Sequence, residues 1–314
     1  MSDNIFIVKR SIFITAFSLV SLLMIAQSNI RLNNYWGNAH YINPASIYDK
    51  YQAVFSIAAR KQWIGVSGAP MTFFASGSTY LDNLNTQLGL IAIQDKIGYT
   101  SITNLDFTYA YALKFQDDMQ FHMGVGLTYQ SLSYDVSKVN LADDSDPTVY
   151  QNLLTENNYN ADFGLELTDK NYRIGMSSQN IFSIFSNNHK YQTNTNFIYA
   201  RYRQLSNNMV NMGFGVCGIQ YSNMYQAEFN VTSYFKVGQR SGLTETPDQF
   251  DVGLLYRTGR GIGFILGYDL SESIHLSYSY DYNVSGVSRH SIGTNELMIT
   301  YNLEKQQVCH NCWR

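Results

Sequence analysis

From Leu105 to Phe115 every second residue is large and apolar, and the same rhythm returns from Met119 to Tyr129. Leu105, Phe107, Tyr109, Tyr111, Leu113 and Phe115 share one face, while Asn104, Asp106, Thr108, Ala110, Ala112 and Lys114 share the other. An extended chain is the geometry that sends alternate side chains to opposite faces. Gln116-Asp117-Asp118 separates the two runs, so they predict a hairpin with one greasy face and one polar or small face. The pattern recurs at 161–168, 225–232, 274–283 and 296–303, where Asp162, Glu166, Glu228, Asp281 and Glu296 lie opposite the apolar residues. About fourteen such segments follow one another, near 51–62, 71–79, 87–95, 100–115, 119–135, 158–168, 171–178, 195–205, 208–221, 224–236, 250–257, 260–270, 273–283 and 291–303. The third and the eighth alternate poorly.

Most segments have close to the roughly 9–11 residues that a tilted membrane strand requires. Composition agrees with a wall that is apolar outside and wet inside. Charged residues are 14% of the chain and aromatics 15%, yet the mean hydropathy is only −0.20. A soluble β-sandwich normally carries more Lys and Glu on its exposed faces. In hydrocarbon every backbone N–H and C=O must be paired internally, so a chain without spanning helices crosses only as a closed barrel. The sequence therefore predicts an all-β, up-and-down antiparallel transmembrane barrel of about fourteen strands. An even strand number puts both termini on one side, expected to be the periplasm. On that side fall the short turns 116–118, 169–170, 206–207 and 271–272, while the longer 136–157, 179–194 and 284–290 fall outside. Connection 237–249 breaks this rule, being long on the periplasmic side.

Lys9-Arg10, the apolar run Ser11–Ala26 and the return of polarity at Gln27-Ser28-Asn29 have the layout of a secretory signal peptide. The run is short of the ~20 residues of a spanning helix. The expected organisation is a signal peptide at 1–26, a periplasmic N-terminal segment at 27–50, the outer-membrane barrel at 51–303 and a periplasmic tail at 304–314.

Chemistry is sparse. The six His residues are dispersed, without the spacing of a metal site, and no nucleophile elbow or phosphate-binding glycine loop occurs. His275 and Asp281 share a predicted polar face, where a lumen-lining pair is the simpler reading than a catalytic one. A net charge of −3 with no basic run points away from nucleic acid. Asp143-Asp144-Ser145-Asp146 reads as a solvated loop. Cys217 reads as a packed thiol within a strand, and Cys309 and Cys312 form a terminal CxxC, by default a disulfide in an oxidising compartment. Glycines on the polar face, among them Gly124, Gly164 and Gly215, read as relief of crowding inside a curved sheet. No cofactor is expected, and the chain is not expected to be an enzyme.

Asn43-Pro44-Ala45, then Arg60-Lys61-Gln62-Trp63-Ile64-Gly65, then Gly68-Ala69-Pro70-Met71-Thr72 together resemble the opening of the PorP/SprF family of Bacteroidetes membrane proteins. The C-terminal third is also similar, through Tyr256-Arg257, Gly267-Tyr268-Asp269, the run Tyr278–Tyr282 and Gly293-Thr294-Asn295-Glu296-Leu297. In the family the last element usually has His where this chain has Asn295. The resemblance implies an outer-membrane protein linked to type IX secretion and gliding, with secretion components and a secreted adhesin as partners alongside outer-membrane lipid. It carries no known catalytic role. It implies a partner-binding or structural role for Arg60, Gln62, Trp63, Gly68, Ala69 and Pro70. From the residues alone, Trp63 reads equally well as an interfacial girdle residue and Gly68-Ala69-Pro70 as a loop turn. A diffusion or uptake channel is the alternative reading of such a barrel.

Overall fold

The computed structural model describes residues 32–115, 118–135, 155–185, 193–206, 208–237, 248–259, 261–283 and 291–305. The signal peptide expected at 1–26, the acidic run 143–146 and the CxxC at 309–312 lie outside the described residues.

Fourteen strands follow in chain order. They are β1 (Tyr51–Lys61), β2 (Met71–Leu81), β3 (Thr86–Ile97), β4 (Thr100–Lys114), β5 (Gln120–Tyr134), β6 (Glu156–Thr168) and β7 (Tyr172–Gln179). The second half comprises β8 (Thr195–Arg203), β9 (Val210–Tyr221), β10 (Met224–Phe235), β11 (Phe250–Arg257), β12 (Gly261–Asp269), β13 (Ile274–Asn283) and β14 (Thr294–Glu304). Each pairs antiparallel with its sequence neighbour, and β14 returns to β1, closing the barrel. Closure leaves no sheet edge with unpaired backbone groups, the condition for standing in lipid. The segments read from alternation match these strands to within three residues at every end.

β1 begins and β14 ends at one rim, where Tyr51 faces Glu304. This rim, the closing rim, carries the short turns 82–85, 115–119, 169–171 and 270–273. The opposite rim, the far rim, carries the connections 62–70, 135–155, 180–194 and 284–293 together with the tight reversals at 98–99 and 222–223.

The outer face is apolar, with Phe55, Phe107, Leu127, Ile198, Phe214, Phe229, Phe264 and Leu297 all exposed. Aromatic pairs mark both ends of this band. Tyr172–Tyr202 (5.0 Å) and Phe235–Phe250 (4.4 Å) lie at the closing rim, and Tyr99–Tyr134 (6.1 Å) and Tyr129–Tyr159 (5.3 Å) toward the far rim. An apolar belt between aromatic girdles is the surface that a bilayer selects.

The buried core lies inside the cylinder. Residues 32–50, expected as a periplasmic segment, run instead through the lumen and are almost wholly buried there. The physical reason is the composition of this stretch. It alternates amides with large aromatic and aliphatic side chains, so it can satisfy the polar inner wall and still fill volume. The inner wall is apolar at two places: Leu32 packs with Phe74, Ile91, Ile93 and Met298, while Tyr35 and Trp36 pack with Phe197, Tyr199, Ile219 and Leu255. β3 and β8 alternate poorly because Ile91, Ile93, Phe197 and Tyr199 point inward onto protein rather than water.

Candidate functional site

The plug segment starts beneath the far rim at Leu32 and descends to the closing rim, where it turns into β1 at Tyr51. It forms two short 3-10 turns, Asn33–Trp36 and Ala39–Tyr41. Its backbone is satisfied partly by itself, through Gly37 N to Asn34 O (3.0 Å) and Ile42 N to Ala39 O (3.0 Å), and partly by side chains of the wall.

Under the far rim the plug meets a buried charge network. The Arg60 guanidinium on β1 donates to Glu296 Oε2 of β14 (3.0 Å) and to Asp281 Oδ2 of β13 (3.1 Å). Arg257 on β11 reaches the same Asp281 oxygen (3.3 Å) and pairs with Glu228 of β10. Asn33 sits in the middle, accepting from Arg60 (3.0 Å) and donating to Asp281 Oδ1 (2.8 Å) and Ser279 Oγ (2.9 Å). Glu296 accepts the backbone N–H groups of Asn33 (2.8 Å) and Asn34 (3.0 Å), so a wall carboxylate caps the first plug turn. Trp36 Nε1 donates to Glu228 Oε1 (3.1 Å). Three carboxylates and two guanidinium groups, all nearly dry, thus share one set of hydrogen bonds with the plug. Removing one member of such a set strands the others.

Lower down, recognition is by shape and amides. Asn43 Oδ1 accepts Ala45 N (2.9 Å), an Asx turn that Pro44 stiffens, and its Nδ2 donates to Leu165 O (3.1 Å) and Tyr199 Oη (3.1 Å). Gly124 and Gly164 on β5 and β6 face this bend. A Cβ at Gly124 would collide with the Pro44–Ala45 backbone, and one at Gly164 with Asn43 Oδ1. These two glycines therefore make room for the plug, a more specific duty than relief of sheet crowding. Glu166 accepts Tyr199 Oη (2.5 Å) and lies 3.7 Å from Arg173, which donates to Ser46 Oγ (2.8 Å) and Ile47 O (3.1 Å). His40 is enclosed beside Thr108 Oγ1 (2.7 Å), and burial lowers its pKa to about 4, keeping it neutral. Burial, with the Glu228 carboxylate beside it, pushes the Tyr35 phenol well above its ordinary range.

The family model for the type IX secretion system membrane protein PorP/SprF matches residues 24–301, plug and barrel together. The chain belongs to the PorP/SprF family. It is a closed barrel of the outer membrane within a type IX secretion family. Among solved structures it is similar to the CymD monoaromatic hydrocarbon channel, at 10% identity and TM-score 0.51, covering 91% of this chain and 97% of that one. It is similar also to the Pseudomonas putida toluene transporter TodX (10% identity, 84% and 92% covered, TM-score 0.45). A third similarity is to Omp33 of Acinetobacter baumannii (10%, 81% and 98%, 0.44). At this identity the CymD likeness describes the fold alone. A search of curated protein sequences gives no match.

The PorP/SprF motifs, scattered along the sequence, converge in space. Arg60, Arg257, Asp281 and Glu296 come from four of them and form the far-rim network; Asn43-Pro44-Ala45 forms the lower bend. Gln62, Trp63 and Gly68-Ala69-Pro70 do not enter the network through hydrogen bonds. They form the β1–β2 connection, where Gln62 N donates to Pro70 O (3.0 Å) and Val66 N to Trp63 O (3.1 Å). That connection is clipped to its neighbours on both sides, by Ile64 N to Gly293 O (2.9 Å) and Gly98 N to Gly68 O (3.0 Å). His275 and Asp281 are separated: His275 lies near the closing rim, with Asp269 (2.6 Å) and Asp251 (3.7 Å). Cys217 is buried against the plug aromatics. Among the described residues no group of three or more His, Cys, Asp or Glu is arranged to hold a metal. Sequence reasoning missed Asn33, Asn34 and Trp36 as wall partners. The available signal was six carboxylates on polar faces, Asp106, Asp162, Glu166, Glu228, Asp281 and Glu296, with no stated counter-charge.

Proposed function

We propose that this PorP/SprF chain is a plugged, non-catalytic barrel that assists secretion or surface attachment of a partner protein such as an adhesin, rather than a conduit for solutes. The observation that carries the reading is the lumen itself. The chain runs residues 32–50 through it, almost wholly buried against the inner wall, and a cavity of about 10 Å³ between Tyr35, Trp36, Ala39, Ile42 and the wall leaves room for roughly a water molecule. Membership in a secretion-system family supplies the process. The closing rim is taken as periplasmic, so the long connections of the far rim face outward, where an exported protein is met.

Deletion of the gene, followed by comparison of surface-shaved and medium proteomes with the parent strain, tests the reading. The expected result is loss of one or a few surface proteins while other type IX cargo is still exported. In parallel, the purified barrel is expected to show no steady conductance in planar bilayers. An unchanged surface proteome together with an open, ohmic pore would establish the channel reading instead.

A further inference from the structure

Alternation sends nearly every charged residue of the fourteen strands to the lumen side. Two go the other way. Lys61, the last residue of β1, pairs with Met71 of β2, and Met71 pairs with Lys96 of β3. The three stand in one row at the far rim, and all are exposed. The rows beneath fix the direction. Ala59, Phe73 and Gln94 come next, then Ile57, Ala75 and Ala92, with Phe73 and Ile57 exposed on the bilayer face. Arg60 and Asp95, the sequence neighbours of the two lysines, point inward and are buried. Neither lysine side chain has an ion-pair or hydrogen-bond partner among the described residues. Across the closing seam from Lys61 stands Asn295 of β14, whose Oδ1 accepts Tyr278 Oη (2.5 Å) on the same outer face. The closing rim has no counterpart: its outward strand positions, such as Leu113, Tyr172, Tyr202 and Phe250, are uncharged.

A lysine on the lipid face of a barrel is costly at the bilayer midplane and tolerated only near an interface, where its stem lies on apolar surface and its ammonium reaches the headgroups. Two such cations in one row, with no protein counter-charge, call for a negative partner in the membrane itself. We propose that Lys61 and Lys96, with Asn295 beside them, bind the phosphate groups of a glycolipid of the outer leaflet, whose acyl chains lie along the apolar rows below. The two lysines are two strand spacings apart, about 10 Å, so their long stems bring both ammonium groups to one headgroup above Met71. Charge complementarity selects a phosphorylated lipid, and the position selects lipid over protein. The row is flush with the apolar belt, whereas an exported protein meets the connections above it. The assignment to the outer leaflet rests on the orientation already taken, with the closing rim periplasmic.

Native mass spectrometry of the full-length chain folded in detergent, titrated with diphosphoryl lipid A, tests the site. Lys61→Gln and Lys96→Gln are each expected to weaken binding about fivefold, the equivalent of about 1 kcal/mol per lysine, and the double variant about twenty-five-fold. Lipid A stripped of its phosphates is expected to bind weakly and equally to parent and double variant. Lys170→Gln, an exposed lysine of the closing rim, is expected to change nothing. Heat-modifiable gel mobility reports whether each variant is a closed barrel. Undiminished binding of lipid A by the folded double variant would overturn the site, as would an equal loss in Lys170→Gln. Phosphatidylglycerol bound as tightly as lipid A, with the same dependence on both lysines, would overturn the glycolipid assignment. The assay reads lipid directly, so its failure is distinct from failure of the secretion reading.

Discussion

The plug is held at its upper end by a dense charge network and at its lower end chiefly by shape, with one arginine, Arg173, grasping Ser46 and Ile47. Around Asn33 the wall offers Arg60, Arg257, Asp281, Glu296 and Glu228, and every contact is directional and electrostatic. Around Asn43 the wall offers two missing side chains, Gly124 and Gly164, and the plug fills the space with a Pro-stiffened bend. The upper station resists pulling only while all its members are present. The lower station leaves no room for added volume. A segment fastened in these two different ways leaves the lumen only when both stations give way.

Substitutions can separate the two stations. Arg60→Ala leaves Glu296 and Asp281 buried and short of positive charge, and should cost about 3–5 kcal/mol. Urea unfolding monitored by gel mobility would measure it, and Arg60→Met with Glu296→Gln should be milder than the sum of the two changes. Acid acts lower down. The His40 pKa of about 4 lies below the ordinary 6.5, so the unfolded chain takes up a proton that the seated plug refuses. Stability from this residue is complete above pH 6.5 and is lost as pH falls toward 4, by up to about 3 kcal/mol. The pH dependence of melting should flatten in that window in His40→Gln. Gly124→Ala adds a methyl group against the Pro44–Ala45 backbone and should destabilise by about 1–3 kcal/mol, read in the same assay. At the exposed pair Lys170–Asp118 (3.2 Å), Lys170→Ala should change stability by less than about 0.5 kcal/mol.

The wall was legible because alternation is a local property: each strand announces its two faces without reference to the rest of the chain. The plug was not, because residues 32–50 follow no period and their meaning lies in partners more than two hundred positions away, as with Asn33 and Glu296. The imperfect alternation of β3 and β8 was the trace it left. Inward Ile91, Ile93, Phe197 and Tyr199 are out of place in a water-filled barrel and in place against protein. The family motifs were visible as short words, but nothing local in Arg60 or Asp281 shows that they meet.

The seam of the barrel has its own consequence. Arg60 and Glu296 stand on the first and last strands, paired directly in the ladder that closes the cylinder, and Asn33 is bound by both. A slip of one residue between β1 and β14 would turn one of the two side chains out toward lipid and strand the other. The contact therefore forms only when the chain's two ends have met in correct alignment around their own leader. A misregistered seam is thus penalised by an orphaned charge rather than left to slide.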